Sequence, residues 1–195
     1  MKRFASIAIA TLLLATTSSA IAHPGHAAGL GSGLLHPFSG LDHLLAMVAV
    51  GLWAAQMSAA GHPRLGWALP AAFMSALVIG ASLAFAGWSV PAVETTVASS
   101  VLALGLFLAL AVRVPAGLSI GLTALFGLAH GYAHGSELPA AASPVFYASG
   151  FLLATALLHV TGLMLGQAVQ RRLATGVRIL GMGIAITGAG LLAFA

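Results

Sequence analysis

The run PAGLSIGLTALFGLAHGYAHGSE, residues 115–137, is apolar over most of its length and ends in two histidines and a carboxylate. A membrane-spanning helix needs about 20 apolar residues, and residues 115–135 supply them. On a helix His130 and His134 are four apart and Glu137 follows three later, so all three lie on one face. The stretch therefore predicts a membrane span that carries a polar site near one end.

The composition extends this prediction to the whole chain. Of the 195 residues 60% are hydrophobic and only 5% are charged, whereas a soluble domain carries about 25% charged residues. We therefore expect an all-α, polytopic integral membrane protein whose main partner is the lipid bilayer. The excess of seven Lys and Arg over three acidic residues reports orientation in the membrane. No basic run is long enough to predict nucleic-acid binding.

The first 22 residues have the form of a cleaved signal peptide. Two basic residues precede an apolar core over residues 4–17, and Ala-Ile-Ala at 20–22 is a cleavage site of the A-x-A type. Cleavage would leave His23 at the mature N-terminus; an uncleaved signal anchor is the alternative. In either case the residues that follow face outward, and the Gly-rich segment 23–35 is expected to be a flexible external segment.

Six spans are predicted within a permease domain over residues 23–195. Their predicted bounds are 37–57, 67–87, 93–112, 115–135, 144–168 and 177–194. With the mature N-terminus outside, every basic residue after the signal peptide falls at the inner side: Arg64, Arg113, Arg171, Arg172 and Arg178. This is the distribution that the positive-inside rule describes. It predicts a multi-pass protein of the bacterial inner membrane with a periplasmic N-terminus.

A second polar stretch, HPFSGLDH at residues 36–43, lies on this topology at the same outer side as Glu137. His36 and His43 are seven apart, so they share a face if both are helical. Asp42 adjoins His43 and can reach the same space. His130 should lie roughly 10 Å deeper than Glu137. We expect the two stretches to meet and to hold a metal ion.

Each of these residues also has an ordinary structural interpretation. Ser39-x-x-Asp42 fits a capping box, His36 precedes a proline and fits a turn, and Glu137 fits an interfacial carboxylate. Their co-occurrence favours the metal site, because an ionisable group inside the bilayer costs about 2.5–3.5 kcal/mol. The predicted ligands are His36, Asp42, His43, His130, His134 and Glu137. Since the chain has no cysteine, nitrogen and oxygen ligands are left, which suit Ni(II), Zn(II), Cu(II) or Co(II).

Three further histidines are weaker candidates. His23 and His26 would lie at the mature N-terminus, where the tail could capture ions or simply be polar and disordered. His159 lies well inside the fifth predicted span, deeper than His130. It fits either a relay on an inward path or a hydrogen-bonded packing residue.

The two polar stretches resemble the two signature motifs of the HupE/UreJ family of nickel and cobalt transporters. The motifs are His36-x5-Asp42-His43 and HGYAHGSE at residues 130–137. The resemblance implies a permease or facilitator that supplies Ni2+, or Co2+, for hydrogenase or urease, with the six predicted ligands required for transport. The family's second motif commonly begins Phe-His-Gly; here Ala129 precedes His130, a change in packing rather than in a ligand.

Two other classes of function stay open at this point. An intramembrane metal-dependent enzyme would fit His130-x3-His134 as one histidine box, but such enzymes need several boxes that usually face the cytosol. A metal sensor or accessory subunit would need an output domain, and the sequence predicts no soluble domain. The sequence does not select the metal or the energy source. It is compatible with a monomer and with a homo-oligomer.

Overall fold

The structure, a computed structural model, describes residues 27–137, 143–173 and 175–195. The predicted signal peptide, His23 and His26 lie outside these ranges. The described residues form seven α-helices and one 3-10 turn, with no strand among them. In order they are α1 Ala27–Leu35, the 3-10 turn His36–Phe38, α2 Leu41–Ala59, α3 Leu65–Phe85, α4 Val93–Leu110, α5 Ala116–Ser136, α6 Pro144–Arg172 and α7 Gly176–Phe194.

Six of these helices, α2 to α7, are long and apolar enough to cross a membrane. This confirms the prediction of an all-α chain with six spans, and each helix begins and ends within four residues of its predicted bounds. Proline marks two of the starts: Pro115 is the N-cap of α5 and Pro144 is the first residue of α6. Proline fits there because the first amides of a helix have no intrahelical partner.

The prediction of a flexible segment over residues 23–35 is wrong for residues 27–35, which form α1. Its glycines allow close packing on α6. A Cβ added at Gly33 would lie 2.1 Å from the carbonyl oxygen of Tyr147, and one added at Gly150 would lie 2.2 Å from that of Leu30. Small residues let helix backbones approach in this way, so glycine here makes a packing surface rather than a loop.

The first span also begins later than predicted. Gly40 has an extended backbone (φ −107°, ψ 125°) and is the N-cap of α2, with no side-chain cap. The capping box does not form, because the Ser39 hydroxyl donates to the carbonyl of His36 at 2.6 Å. Asp42 instead lies in the first turn of α2, near the positive end of the helix dipole.

Helix α1, the 3-10 turn and α2 together form a discontinuous helix that runs parallel to α6. Near its start, Gly29 approaches residues 143–146 of α6. Further along, a Cβ at Gly51 would lie 2.2 Å from the carbonyl oxygen of His159. Helix α6 is continuous over 29 residues, so the break at residues 36–40 is confined to one of the two partners.

Two other helix pairs pack through glycine in the same manner. In the parallel pair α3 and α5, a Cβ at Gly131 would lie 1.9 Å from the carbonyl oxygen of Leu77. In the antiparallel pair α4 and α7, a Cβ at Gly105 would lie 2.3 Å from the backbone nitrogen of Ala185. Helix α2 is central among them: 61% of its span is buried, against 28–44% in the other five.

The described basic residues lie at one end of the bundle, which we call the arginine end. Because α2 to α7 alternate in direction, this end holds the α2–α3 and α4–α5 loops, the end of α6 and the start of α7. Its arginines are Arg64, Arg113, Arg171, Arg172 and Arg178. Arg178 donates from Nε to the carbonyl of Ala109 at 2.9 Å, which ties α7 to the end of α4. The opposite end, with His36 and Glu137, is called the histidine end.

Candidate metal site

His134, near the end of α5, is at the centre of a histidine cluster. Its side chain is 3% exposed, and its ring meets those of His43 and His36 nearly edge-on, with centroid distances of 4.0 and 4.7 Å. Neither ring nitrogen has a hydrogen-bond partner among the described residues. Buried polar atoms are usually hydrogen-bonded, so this ring offers an unused lone pair to the centre of the cluster.

Four side chains can converge on one point. His36, His43, His134 and Glu137 each offer one ligand atom, and these atoms all lie within 4.8 Å of one another. His36 Nε2 is 3.5 Å from Glu137 Oε2. The 3-10 turn, the first turn of α2 and the end of α5 supply these residues. The two polar stretches of the sequence therefore touch in the folded chain.

The break in the first span shortens the distance between His36 and His43. Seven residues of continuous helix would separate them by about 10 Å along the axis. The ring centroids are instead 6.3 Å apart, because the extended Gly40 turns the chain between them. The two histidines therefore do not share one helical face, as the spacing predicted. The turn at Gly40 brings their rings close together instead.

Asp42 supports His43 and is not one of the four converging residues. Its Oδ1 lies 2.8 Å from Nδ1 of His43 and accepts from the backbone N–H of that residue, also at 2.8 Å. The ring contact is electrostatic rather than an aligned hydrogen bond. A carboxylate at one ring nitrogen favours the proton there and leaves the lone pair on the other, as is common around metal-binding histidines.

His130 lies one turn deeper on α5 and is 0% exposed. Its ring centroid is 5.2 Å from that of His43, so it adjoins the four-residue group. Its Nε2 is 2.9 Å from the Ser100 hydroxyl, which donates its own proton to the carbonyl of Val97. The hydroxyl must then accept from His130, which leaves the lone pair on Nδ1. That Nδ1 has no hydrogen-bond partner among the described residues.

Aromatic rings form the wall of the cluster. The ring centroid of Phe151 is 4.2 Å from that of His134, and Tyr147 is 5.7 Å from His36. On the deeper side, Phe73 is 5.5 Å from His130. The sequence pattern does not single out these rings or Ser100, because aromatic and small polar residues occur in apolar spans both at sites and in the core.

His36 belongs to the 3-10 turn outside the spans, and its environment keeps it neutral. Burial is the main cause that lowers the pKa of His36 below the ordinary 6.5, and the nearby His43 adds to it, while Asp42 opposes both. A neutral imidazole keeps a lone pair for a metal ion. The ring is therefore available as a ligand in mildly acidic surroundings.

All three acidic residues of the chain lie at the histidine end. Glu137 belongs to the cluster. Glu94, in the first turn of α4, lines a cavity of about 590 Å³ together with Asp42 and residues of α7. The negative charge of the protein is thus concentrated where the histidines are.

His159, the remaining described candidate, lies apart from the four converging residues. It is on α6, 1% exposed, with its ring centroid 5.1 Å from that of Phe73. The ring of Phe73 therefore touches both His130 and His159.

Three imidazoles and a carboxylate form a donor set that suits divalent transition metals and has no thiolate to select Cu(I). The fold and the site together define a polytopic helical membrane protein with a histidine and carboxylate cluster near one end of its bundle.

Comparison with known proteins identifies the family. Residues 11–191 match the family described as HupE / UreJ protein. The chain is 41% identical over 199 aligned positions to Protein HupE of Rhizobium leguminosarum bv. viciae, and the alignment covers 97% of this chain and 98% of that protein. No solved structure matches the chain. This multi-pass membrane protein belongs to the HupE/UreJ family, as its two motifs indicated.

Proposed function

We propose that the protein carries a divalent transition-metal ion, first of all Ni2+ and also Co2+, from the periplasm to the cytoplasm across the bacterial inner membrane. The ion would serve the maturation of a hydrogenase or a urease. One observation carries the proposal: ligand atoms of His36, His43, His134 and Glu137 lie within 4.8 Å of one another at the end of a membrane bundle. Membership of the HupE/UreJ family supports transport over the alternative of a histidine-box enzyme.

The charges at the two ends support the proposed orientation of the protein. Because membrane proteins keep their Lys and Arg on the cytoplasmic side, we propose that the arginine end lies in the cytoplasm and the mature N-terminus in the periplasm. The histidine end then faces the periplasm, where the ion enters. Carboxylates at this end attract a cation from solution.

The ligands of the cluster differ in how deeply they are buried, and this difference suggests the order in which the ion contacts them. The side chains of Glu137 and His36 are 49% and 25% exposed, so they are reached first. His43 and His134 are buried, and His130 is fully so. Ligands at increasing depth can replace the water molecules around the ion one after another. A carrier needs several sites of moderate affinity, because the ion must also be released.

Uptake of radiolabelled nickel by cells that produce the chain tests this function. We expect His43→Ala and His130→Ala to abolish uptake while the protein stays in the membrane at normal abundance. The matched control is His62→Ala, which removes an exposed loop histidine and should leave uptake unchanged. Normal uptake in both cluster variants would contradict the site, and no nickel uptake by the unaltered protein would contradict the function.

A further inference from the structure

His159 lies in the interior of α6, where its ring has only a poorly aligned contact with the backbone carbonyl of Thr155. It is 1% exposed, and neither ring nitrogen has an aligned hydrogen-bond partner among the described residues. Polar side chains within a membrane bundle are costly and usually face a path or a partner. One ring nitrogen of His159 therefore has an unused lone pair. The energetic cost of burying this imidazole indicates that the side chain has a role beyond packing.

A second unsatisfied polar group lies beside it. Thr155 is one turn earlier on α6, on the same face as His159, and is 0% exposed. Its hydroxyl also lacks a hydrogen-bond partner in the described part of the chain. One imidazole nitrogen contacts the Thr155 carbonyl, and the other imidazole nitrogen and the Thr155 hydroxyl are buried on the same helix face without a hydrogen bond to any described residue.

The depth of His159 places it beyond the histidine cluster. Phe151 lies beside His134, and His159 follows Phe151 by eight residues, about 12 Å further toward the arginine end. His130 is only one turn, or about 6 Å, deeper than His134. His159 therefore lies about one further turn inward than His130.

Phe73 contacts both the histidine cluster and His159. It is 0% exposed, and its ring centroid is 5.5 Å from that of His130 and 5.1 Å from that of His159. The backbone of His159 is also fixed, because the α2–α6 crossing at Gly51 brings its carbonyl oxygen to within 2.2 Å of where a Cβ would be. Both imidazoles thus contact one aromatic ring.

We infer that His159 and Thr155 form a second, inner binding site for the transported divalent metal ion, next to the ring of Phe73, which also contacts His130 of the cluster. The inference rests on the proposed transport function. An ion leaves His130, passes the edge of Phe73 and binds His159 before it continues toward the arginine end. The inner site has one nitrogen and one hydroxyl ligand, and no acidic residue lies near it, because all three belong to the histidine end. It therefore binds the ion more weakly than the cluster, as suits a site of transit.

The number of ions bound by the full-length protein in lipid nanodiscs tests this directly. Equilibrium dialysis with radiolabelled Ni2+ should show two ions on the unaltered protein. The second should be at least about tenfold weaker, because its site has two ligands against four in the cluster and even the loss of a residue that supports a ligand costs about that much. His159→Leu should keep the tight ion, with Kd within about twofold, and lose the weak one. A single ion at saturation on the unaltered protein would overturn the inference, whether or not any variant folds.

Transport measurements separate a ligand from a packing residue. In proteoliposomes His159→Leu should lower Ni2+ flux by about tenfold or more. His159→Gln fills similar space and can hydrogen-bond but is a poor ligand, so it should lose flux to a similar extent. Flux at the normal rate in His159→Gln would show a packing role and overturn the inference. His62→Leu, which removes an exposed loop histidine, is the matched control and should be unaffected.

The two measurements also distinguish this inference from the proposed function. If the unaltered protein carries Ni2+ but binds one ion, and the His159 variants carry it normally, the inner site is wrong and the transport function stands. If the unaltered protein binds Ni2+ but carries none, transport is wrong, and the inner site, which rests on it, is wrong as well.

Discussion

The two ends of the bundle differ in charge and in how their polar groups are satisfied. The histidine end holds all three carboxylates of the chain, and two of them, Asp42 and Glu137, contact imidazoles whose nitrogens have few partners. At the arginine end Arg178 and Gln56 donate to backbone carbonyls at the end of α4. The arginine end thus uses its polar groups to hold helices together, whereas the histidine end keeps its lone pairs unused. That difference is what a cation-binding site requires.

Helix α5 shows the same contrast in its packing. Toward the arginine end, a Cβ at Gly117 or Gly121 would meet nothing within 4 Å. Toward the histidine end, Gly127, Gly131 and Gly135 press against the backbone of α3. The ligands of α5 are therefore carried by the part of the helix that is held most closely, which keeps them in place before an ion arrives.

The largest effect is expected from removing the central imidazole. His134→Ala deletes the ring that contacts both His36 and His43, so Ni2+ affinity should fall by at least about a hundredfold, the upper end of what a supporting residue costs. Equilibrium dialysis on the purified protein measures it. His62→Ala is the control, and an affinity within about twofold of normal in His134→Ala would remove this ring from the site.

The glycine contrast along α5 gives the next effect. Gly131→Ala places a Cβ 1.9 Å from the carbonyl oxygen of Leu77, and overpacking of this kind costs about 1–3 kcal/mol. Gly121→Ala meets open space and should leave stability unchanged or slightly higher, since alanine favours helix. Thermal unfolding in detergent compares the two. Equal stability of the two variants would contradict the difference in packing between the two ends of α5.

Asp42→Asn should weaken Ni2+ binding by about tenfold, within the range found for residues that orient a metal ligand. The amide is uncharged and no longer attracts the proton of His43 Nδ1, which lies 2.8 Å away. Titration with Ni2+ measures the change in Kd, and thermal unfolding serves as a control for the fold. A loss as large as that in His134→Ala would mean that Asp42 binds the ion itself, as the sequence analysis expected.

Acidification gives a further effect that is specific to the histidine end. Protons compete with metal for imidazole, and burial holds the pKa of His36 below 6.5. Because a lowered pKa keeps the ring neutral to lower pH, Ni2+ binding should persist at pH 6.5 and weaken only at more acidic values. An unperturbed histidine would instead lose its lone pair as the pH falls through about 6.5. Isothermal titration across pH measures the midpoint, and a midpoint at or above 6.5 would contradict the effect of burial.

The sequence predicted the spans well because long apolar runs and prolines act locally. It also placed both polar stretches at one end, since five arginines mark the other. It failed at residues 27–40, where glycines that indicated a loop form a packed helix, and where Gly40 rather than Ser39 is the N-cap of α2. The partners of the histidines, such as Ser100 and Phe73, come from other helices. Contacts of that kind depend on how helices pack, which one sequence does not show.

The smallest effect tests whether the two ends act on each other. His134 lies about 27 Å along α5 from its start at the arginine end, from 18 residues of helical rise. Across that distance a unit charge changes the energy of a divalent ion by about 0.3 kcal/mol in water, and Arg113 is exposed to solvent. Arg113→Gln should therefore tighten Ni2+ binding by less than about twofold, measured by dialysis at low salt. A tenfold gain would show that the field of the arginines crosses the bundle interior, where the dielectric constant is lower, and that the arginine end helps to set affinity at the histidine end.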